Sequence, residues 1–343
     1  MAKKQRITLQ DIADELQISK ASVSKALRDH PDISPETKQA VNETAQRLDY
    51  LPNIMARNLS ARQSNTIGVV VPKIAHNFFA TIIEAIYETA YKNRYEIILT
   101  VSQEEPENEI KQIQTLLSMR VDGLLVSVSE HTKDKSIFRM VKQLNVPCVF
   151  FDRSLSGLGF SRVCTDDELG ARQATEHLIS KGYSKIAHFA GYPHTNIGRD
   201  RLDGFTKTLA AHGLSAKDDW IIEGGFSEED GYNGFKMLTK SPVLPEAIFA
   251  VTYPVALGIY AAASEHGIKI PDDIDIVCFG ASSFQRFFSP SITFVRQPTE
   301  ELGRRAMELL LEEIRGPESS HPQLISLPTE LVLREDLIKG DHV

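Results

Sequence analysis

Arginines, carboxylates and aromatic rings recur in this chain just after short apolar runs. Asn77, Phe78 and Phe79 follow the run 67–72, Asp152-Arg153 follows Phe150-Phe151, and Arg199 and Arg201 follow the run ending at Gly191. Phe226 follows 220–225, Thr252-Tyr253 follows 247–251, and Ser282, Ser283 and Arg286 follow 274–280, with Gln297 a little further on. A guanidinium is a fork of N–H donors for carboxylate or phosphate, a carboxylate accepts from hydroxyls, and rings cover apolar faces. The set describes a cleft for a small polar ligand. It does not describe a catalytic centre. Neither Gly-x-Gly-x-x-Gly nor Gly-x-x-x-x-Gly-Lys-Ser/Thr follows a strand. His188 and the acidic residues form no catalytic constellation, and Asp166-Asp167-Glu168 reads more simply as a helix N-terminus. No enzyme activity, metal or cofactor is expected.

The elements that must position these residues alternate. Apolar β-rich runs fall at 67–72, 95–102, 123–128, 148–152, 185–191, 220–225, 247–251 and 274–280. Helical stretches fall near 79–93, 106–119, 135–144, 167–181, 199–213, 228–240, 253–267 and 299–315. Continuous apolar strands separated by helices predict parallel sheets covered on both faces. About 260 residues exceed one open sheet of usual size, so two Rossmann-like lobes are expected, with ligand at the carboxyl ends of their strands. Two plainer readings compete: Phe78 and Phe79 as core residues, and Asp152-Arg153 as a surface ion pair.

Composition sets the class. The 343 residues are 42% hydrophobic and 24% charged, as in globular domains. No apolar run reaches the ~18 residues of a membrane span, and no signal-peptide h-region follows the basic Met1–Arg6, so a cytoplasmic protein is expected. Cys148, Cys164 and Cys278 sit far apart in apolar runs, without metal spacing. The net charge of −8 argues against a general nucleic-acid coat, but residues 1–65 hold ten basic and eight acidic side chains, leaving −10 for the remainder. A mildly basic head on an acidic body suits local contact with DNA.

The head predicts three short helices. Thr8 and Asp11 are spaced to cap the first, whose inward residues are Ile12, Ala13 and Leu16. Ser19 is placed to cap the second, with Val23, Ala26 and Leu27 inward and Lys20, Ala21, Ser22 and Lys25 outward. Ser34-Pro35 opens a third, striped by Val41, Ala45 and Leu48. Two helices joined by so tight a turn form a helix-turn-helix, whose second helix fits the major groove; an ordinary small bundle is the alternative. Residues 52–61 predict one more short helix, in which Leu59 beside Arg57 and Arg62 could act as a minor-groove wedge. A plain linker is the other reading.

Residues 7–72 resemble the lactose/galactose repressor (LacI) family. The resemblance rests on Thr8-Leu9-x-Asp11-Ile12-Ala13, Ile18-Ser19-x-Ala21-Ser22-Val23-Ser24-Lys25-Ala26-Leu27, Ile33-Ser34-Pro35-Glu36-Thr37, Tyr50-x-Pro52-Asn53-x-x-Ala56-Arg57-x-Leu59 and Thr66–Pro72. It implies an α/β protein: an all-α helix-turn-helix head (1–50), a hinge helix or linker (51–65), and a periplasmic-binding-protein type I effector-binding and dimerisation body (66–335). The N-lobe would comprise about 66–163 and 294–325, the C-lobe about 164–291. The resemblance further implies base contacts from Lys20, Ala21 and Lys25, phosphate or nearby contacts from Thr8, Ser19, Ser22, Ser24 and Asn53, and minor-groove contacts from Ala56, Arg57 and Leu59. Lys25 departs from the family's usual arginine, which affects bidentate base contact.

The implied function is a homodimeric regulator, most simply a repressor, that reads a pseudo-palindromic operator in double-stranded DNA under control of an effector. Arg201, in Arg201-Leu202-Asp203-Gly204-Phe205, matches the family's effector arginine. Sugar-sensing members carry Asn-Asp and Asp where this chain has Thr252-Tyr253 and Gly280. With those acceptors missing and arginines 153, 199, 201 and 286 near the cleft, a sugar phosphate or sugar acid joins a plain sugar as expected effector; loss of sensing is the opposite reading. A transport-type binding protein would share the body, but the head opposes it.

Overall fold

The computed structural model describes residues 7–50, 63–75, 77–281, 291–316 and 321–335. At the head, capping chemistry sets the helix starts. Thr8 and Asp11 form a reciprocal capping box at α1 (Leu9–Leu16). The Ser19 hydroxyl accepts from the Ser22 amide at 3.0 Å to open α2 (Lys20–Ala26). Ser34 caps α3 (Pro35–Arg47), with Pro35 where no amide donor is needed. Gln17, in the left-handed region at φ 52°, makes the turn between α1 and α2. Ile12, Ala13, Val23, Ala26, Val41 and Ala45 form the buried core of this unit. The predicted helix-turn-helix is present, with its third helix.

Residues from Asn65 onward form a second unit. Its first sheet has the order β11-β5-β4-β3-β1-β2, from β1 (Thr66–Val71), β2 (Glu96–Val101), β3 (Gly123–Val126), β4 (Cys148–Phe151), β5 (Ser161–Thr165) and β11 (Leu324–Leu327). Its second has the order β12-β10-β9-β8-β6-β7, from β6 (Ile186–Phe189), β7 (Ile221–Ile222), β8 (Ala247–Ala250), β9 (Asp275–Phe279), β10 (Thr293–Arg296) and β12 (Glu330–Val332). All pairings are parallel except β10 with β12.

Helices cover both faces. In the first lobe these are α4 (Asn77–Lys92), α5 (Pro106–Ser118), α6 (Ser136–Gln143) and α11 (Thr299–Arg315). In the second they are α7 (Asp167–Ser180), α8 (Asn196–Ala211), α9 (Glu228–Leu238) and α10 (Tyr253–Glu265). A Cβ on Gly231 would fall 2.0 Å from the Val255 carbonyl oxygen, and one on Gly258 1.9 Å from that of Glu228. Bare backbone at both positions lets α9 and α10 touch. Among the described residues no helix is long and apolar enough to cross a membrane.

The chain crosses between lobes later than residue 294. Thr293–Arg296 pairs with β9 in the second sheet, because its apolar side chains complete that core, and the return to the first lobe follows it. The strands β5, β10, β11 and β12 were not among the predicted runs. The three cysteines are free, Cys148 and Cys278 buried, and burial pushes the Cys164 thiol up to about 12.

Candidate effector cleft and nucleic-acid interface

Between the two lobes lies a cavity of about 800 Å³. Of the described residues expected there, all but Arg199 line it: Asn77, Phe78, Phe79, Asp152, Arg153, Arg201, and likewise Phe226, Thr252, Tyr253 and Gln297. Ser282 and Arg286 lie outside the described residues. Phe79 serves both readings, being 5% exposed in the first-lobe core while its neighbour Phe78 meets it edge-on at 5.2 Å. Thr252 caps α10 and donates to the Phe226 carbonyl at 3.1 Å, which fixes Tyr253 at the rim.

The two arginines of the cleft are already committed. Arg201 donates from Nε and Nη2 to Asp167 Oδ1 at 2.8 and 2.7 Å and from Nη1 to the Val251 carbonyl, with its guanidinium 3.7 Å over the Phe279 ring. Arg153 donates from Nη1 to both oxygens of Glu104 at 2.9 Å and stacks 4.8 Å from Phe226 of the other lobe. Asp152-Arg153 is therefore not a surface ion pair; both residues are buried. Arg199 does not reach this cavity and pairs with Asp200 at 2.8 Å. The anion receptor suggested by the arginines is neutralised from within.

Sequence reasoning missed the carboxylates opposite. Glu104, Glu130 and Glu228 line the cleft beside Asp152. Glu104 and Glu130 sit just past the carboxyl ends of β2 and β3, where the same strand-end rule would have found them. Ser129 and Glu130 amides donate to Glu109 Oε2 and Glu104 Oε2 at 2.7 and 2.9 Å, holding three glutamates under one wall. Three polar groups remain unspent. Arg153 Nε and Gln297 Nε2 are buried without a partner, and the Asp152 carboxylate has no hydrogen bond among the described residues.

Burial pushes the Asp152 carboxyl up to about 6 and the Glu109 carboxyl up to about 7, the latter assisted by neighbouring Glu104. The folded chain thus keeps protons that the unfolded chain releases above about pH 4.5. Stability contributed by these groups is present at low pH and lost as pH rises from about 4 through about 7. For Glu109→Gln, which keeps an acceptor for the Ser129 amide, we expect a shallower fall in unfolding free energy between pH 5 and 7.5. The difference should be on the order of a few kcal/mol in urea titrations; identical slopes would exclude a titrating Glu109. His188, buried against Phe249 with its Nδ1 on the Phe249 carbonyl, is pushed down to about 3 by burial and is a neutral core ring.

A second missed residue joins the lobes. Asn196, in the first turn of α8, donates from Nδ2 to the Asp152 carbonyl and accepts at Oδ1 from the Ser154 amide, both at 2.9 Å. It thereby holds Asp152 at φ 59°, a conformation that few residues other than glycine and asparagine or aspartate adopt. Asn196→Ala leaves two buried backbone groups unpaired and should cost about 1–3 kcal/mol of body stability by chemical denaturation.

In the head unit, Lys20 and Ala21 are exposed on the first turn of α2. The Thr8 and Ser19 hydroxyls are occupied in caps, and Ser22 Oγ lies 2.8 Å from Ser19 Oγ. Ser24 gives its carbonyl to Arg28 Nε at 3.0 Å. Lys25 is paired with Asp32 at 2.9 Å. Asn53, Ala56, Arg57 and Leu59 lie outside the described residues.

A helix-turn-helix unit followed by a two-lobed binding body with an interlobe cleft is the build of a ligand-responsive DNA-binding regulator. The described comparisons agree with it. Residues 8–53 match the model for bacterial regulatory proteins of the lacI family, and residues 175–335 match the periplasmic binding protein-like domain. The HTH-type transcriptional repressor PurR of Actinobacillus pleuropneumoniae serotype 3 is 32% identical over 96% of this chain and 98% of its own. The ribose operon repressor of Haemophilus influenzae is 29% identical with the same coverage. Among solved structures, the lac repressor dimer bound to operator and the anti-inducer ONPF superposes with a TM-score of 0.81 at 26% identity, over 96% of this chain and 98% of that one. A CelR–cellobiose complex superposes with a TM-score of 0.72 at 27% identity, over 96% and 99%. The chain belongs to the lacI family of bacterial regulatory proteins, transcriptional repressors with a DNA-binding head and an effector-binding body.

Proposed function

We propose that this chain is a homodimeric, operator-specific repressor whose effector is a neutral, hydroxyl-rich small molecule of the sugar class. The observation that carries the effector reading is the charge balance of the cleft. Its two buried arginines are matched by Glu104 and Asp167, while Asp152, Glu130 and Glu228 add acceptors among aromatic faces. Hydroxyl donors suit such acceptors, and a second negative charge among them would be repelled. We assign residues 1–50 to operator binding, 51–65 to the hinge and 66–335 to effector binding and dimerisation. Lys20, Ala21 and Lys25 face major-groove base edges, Thr8, Ser19, Ser22, Ser24 and Asn53 contact phosphates or edges nearby, and Ala56, Arg57 and Leu59 enter the minor groove. The protein works where its DNA is, in the cytoplasm, and binds rather than catalyses. The relatives named as repressors and the structure containing cellobiose support this reading.

Thermal unfolding with neutral sugars, sugar phosphates and sugar acids tests it, with and without promoter DNA. A neutral sugar at 100 times its Kd should add about 2.7 kcal/mol. DNA that weakens the sugar's binding marks an inducer, and DNA that strengthens it marks a corepressor. Stabilisation by acids and phosphates alone would overturn the neutral assignment.

A further inference from the structure

We propose that the body carries a second ligand site, for a phosphoryl-type anion, in a smaller cavity at the joint between the lobes. This goes beyond the effector reading and does not depend on it. The cavity measures about 210 Å³ and shares the 152–154 segment with the large cleft: Asp152 and Arg153 line the cleft, and Ser154 lines the smaller cavity. Four cations, Lys133, Lys135, Arg162 and Arg199, line it, and among the described residues no carboxylate does. Among the described residues, Arg199 alone of these four has an acidic partner, Asp200 at 2.8 Å. Lys135 Nζ rests on the Ser156 carbonyl at 2.8 Å, and Arg162 Nη1 makes only a 3.5 Å contact with Ser154 Oγ.

Such an arrangement is unexpected in a body whose residues after 65 sum to −10. Like charges gathered in one small cavity repel unless an anion fills it. The size excludes a drug-sized metabolite, whose sites begin at about 300 Å³, and suits a single phosphate group. Arg162, half-buried, offers a fork of parallel N–H donors, and the lysines add point charge. The first turn of α8, where Asn196 lines the cavity, adds the positive end of a helix.

The position gives the site a role. Lys133, Lys135 and Arg162 come from the first lobe, while Arg199 and Asn196 come from the second. An anion held by both lobes neutralises a repulsion across the joint, beside the Asn196 clamp on residues 152 and 154. It therefore stabilises the present lobe arrangement and is linked to whatever occupies the large cleft.

The full chain tests this by calorimetric titration and thermal unfolding with inorganic phosphate, sulfate and a simple phosphate monoester, at ionic strength held constant with chloride. We expect saturable phosphate binding at one site per chain. Arg162→Gln and Lys133→Gln should each weaken it at least about fivefold, whereas Lys92→Gln, on an exposed face of α4, should not. Tighter binding of the monoester than of free phosphate identifies the source as a phosphorylated metabolite; the reverse order identifies the free ion. If Arg162→Gln lowers the melting temperature in chloride, Lys133→Gln decides, since Lys133 is exposed and its loss does not disturb the fold. Equal response to phosphate and chloride, or parent-like binding by the deciding variant, overturns the proposal.

Discussion

Replacing Ala21 with glutamate is expected to weaken operator binding at least about 100-fold while leaving the fold intact. Ala21 is exposed on the first turn of α2, which lacks an acidic residue there. A carboxylate at a helix N-terminus favours the helix dipole, so the substitution should stabilise α2 slightly rather than melt it. In the groove the same carboxylate meets phosphates and base acceptors, and a like-charge contact of that kind costs several kcal/mol, with tenfold in Kd for each 1.4 kcal/mol. Three readouts separate this from unfolding: the circular dichroism of the chain, its thermal midpoint, and Kd for a promoter fragment across a salt series. The expected pattern is an unchanged fold, a greatly raised Kd, and affinity that still falls with salt through the remaining lysine contacts. If the variant held its promoter fragment as tightly as the parent, α2 could not be the helix that reads the groove.

The head was the most legible part of the chain because its signals are local. A capping box, a serine cap and a Ser-Pro start each act within one turn, so sequence spacing translates directly into structure. The central strands of the body were legible for a related reason: four to six consecutive apolar residues must be buried on both faces. Of the strands that escaped, β11 and β12 are sheet edges, while β5 and β10 lie one place inside them. In β11, Leu324 and Ser326 are exposed, and in β5 burial alternates, so neither carries a continuous apolar signal. The cleft was half legible. Arginines and aromatic rings stand out after strands, but their partners do not. Glu104 lies 49 residues from Arg153, and Asp167 lies 34 from Arg201. Only the fold brings those charges together, and they reverse the inference that arginine composition alone suggested. Asn196 was invisible for the same reason, since its value lies in two backbone groups more than 40 residues away.

Removing Arg201 should have the largest effect on the body. For Arg201→Met we expect a loss of about 3–5 kcal/mol in unfolding free energy, because it strands Asp167 as an uncompensated buried charge. Arg201 and Asp167 side chains are each 2% exposed, so water cannot take the place of the missing guanidinium. Burial already pushes the Asp167 carboxyl up, against the pull of Arg201. Without that pull its folded-state pKa climbs further above its unfolded value, and a raised carboxyl loses its stabilising contribution as pH rises. The defect should therefore be smaller near pH 5 than at pH 8 in urea titrations. Arg201→Met with Asp167→Leu removes both charges and should recover most of the loss, as buried pairs replaced by apolar side chains often do. That double variant also isolates what Arg201 does in the cleft. If it folds but no longer gains stability from the sugar that stabilises the parent, the guanidinium holds the ligand directly. If it folds and responds fully, Arg201 serves only to pin α8 to α7 and the Val251 carbonyl. A loss below about 1 kcal/mol for Arg201→Met alone would contradict the buried pair on which both outcomes depend.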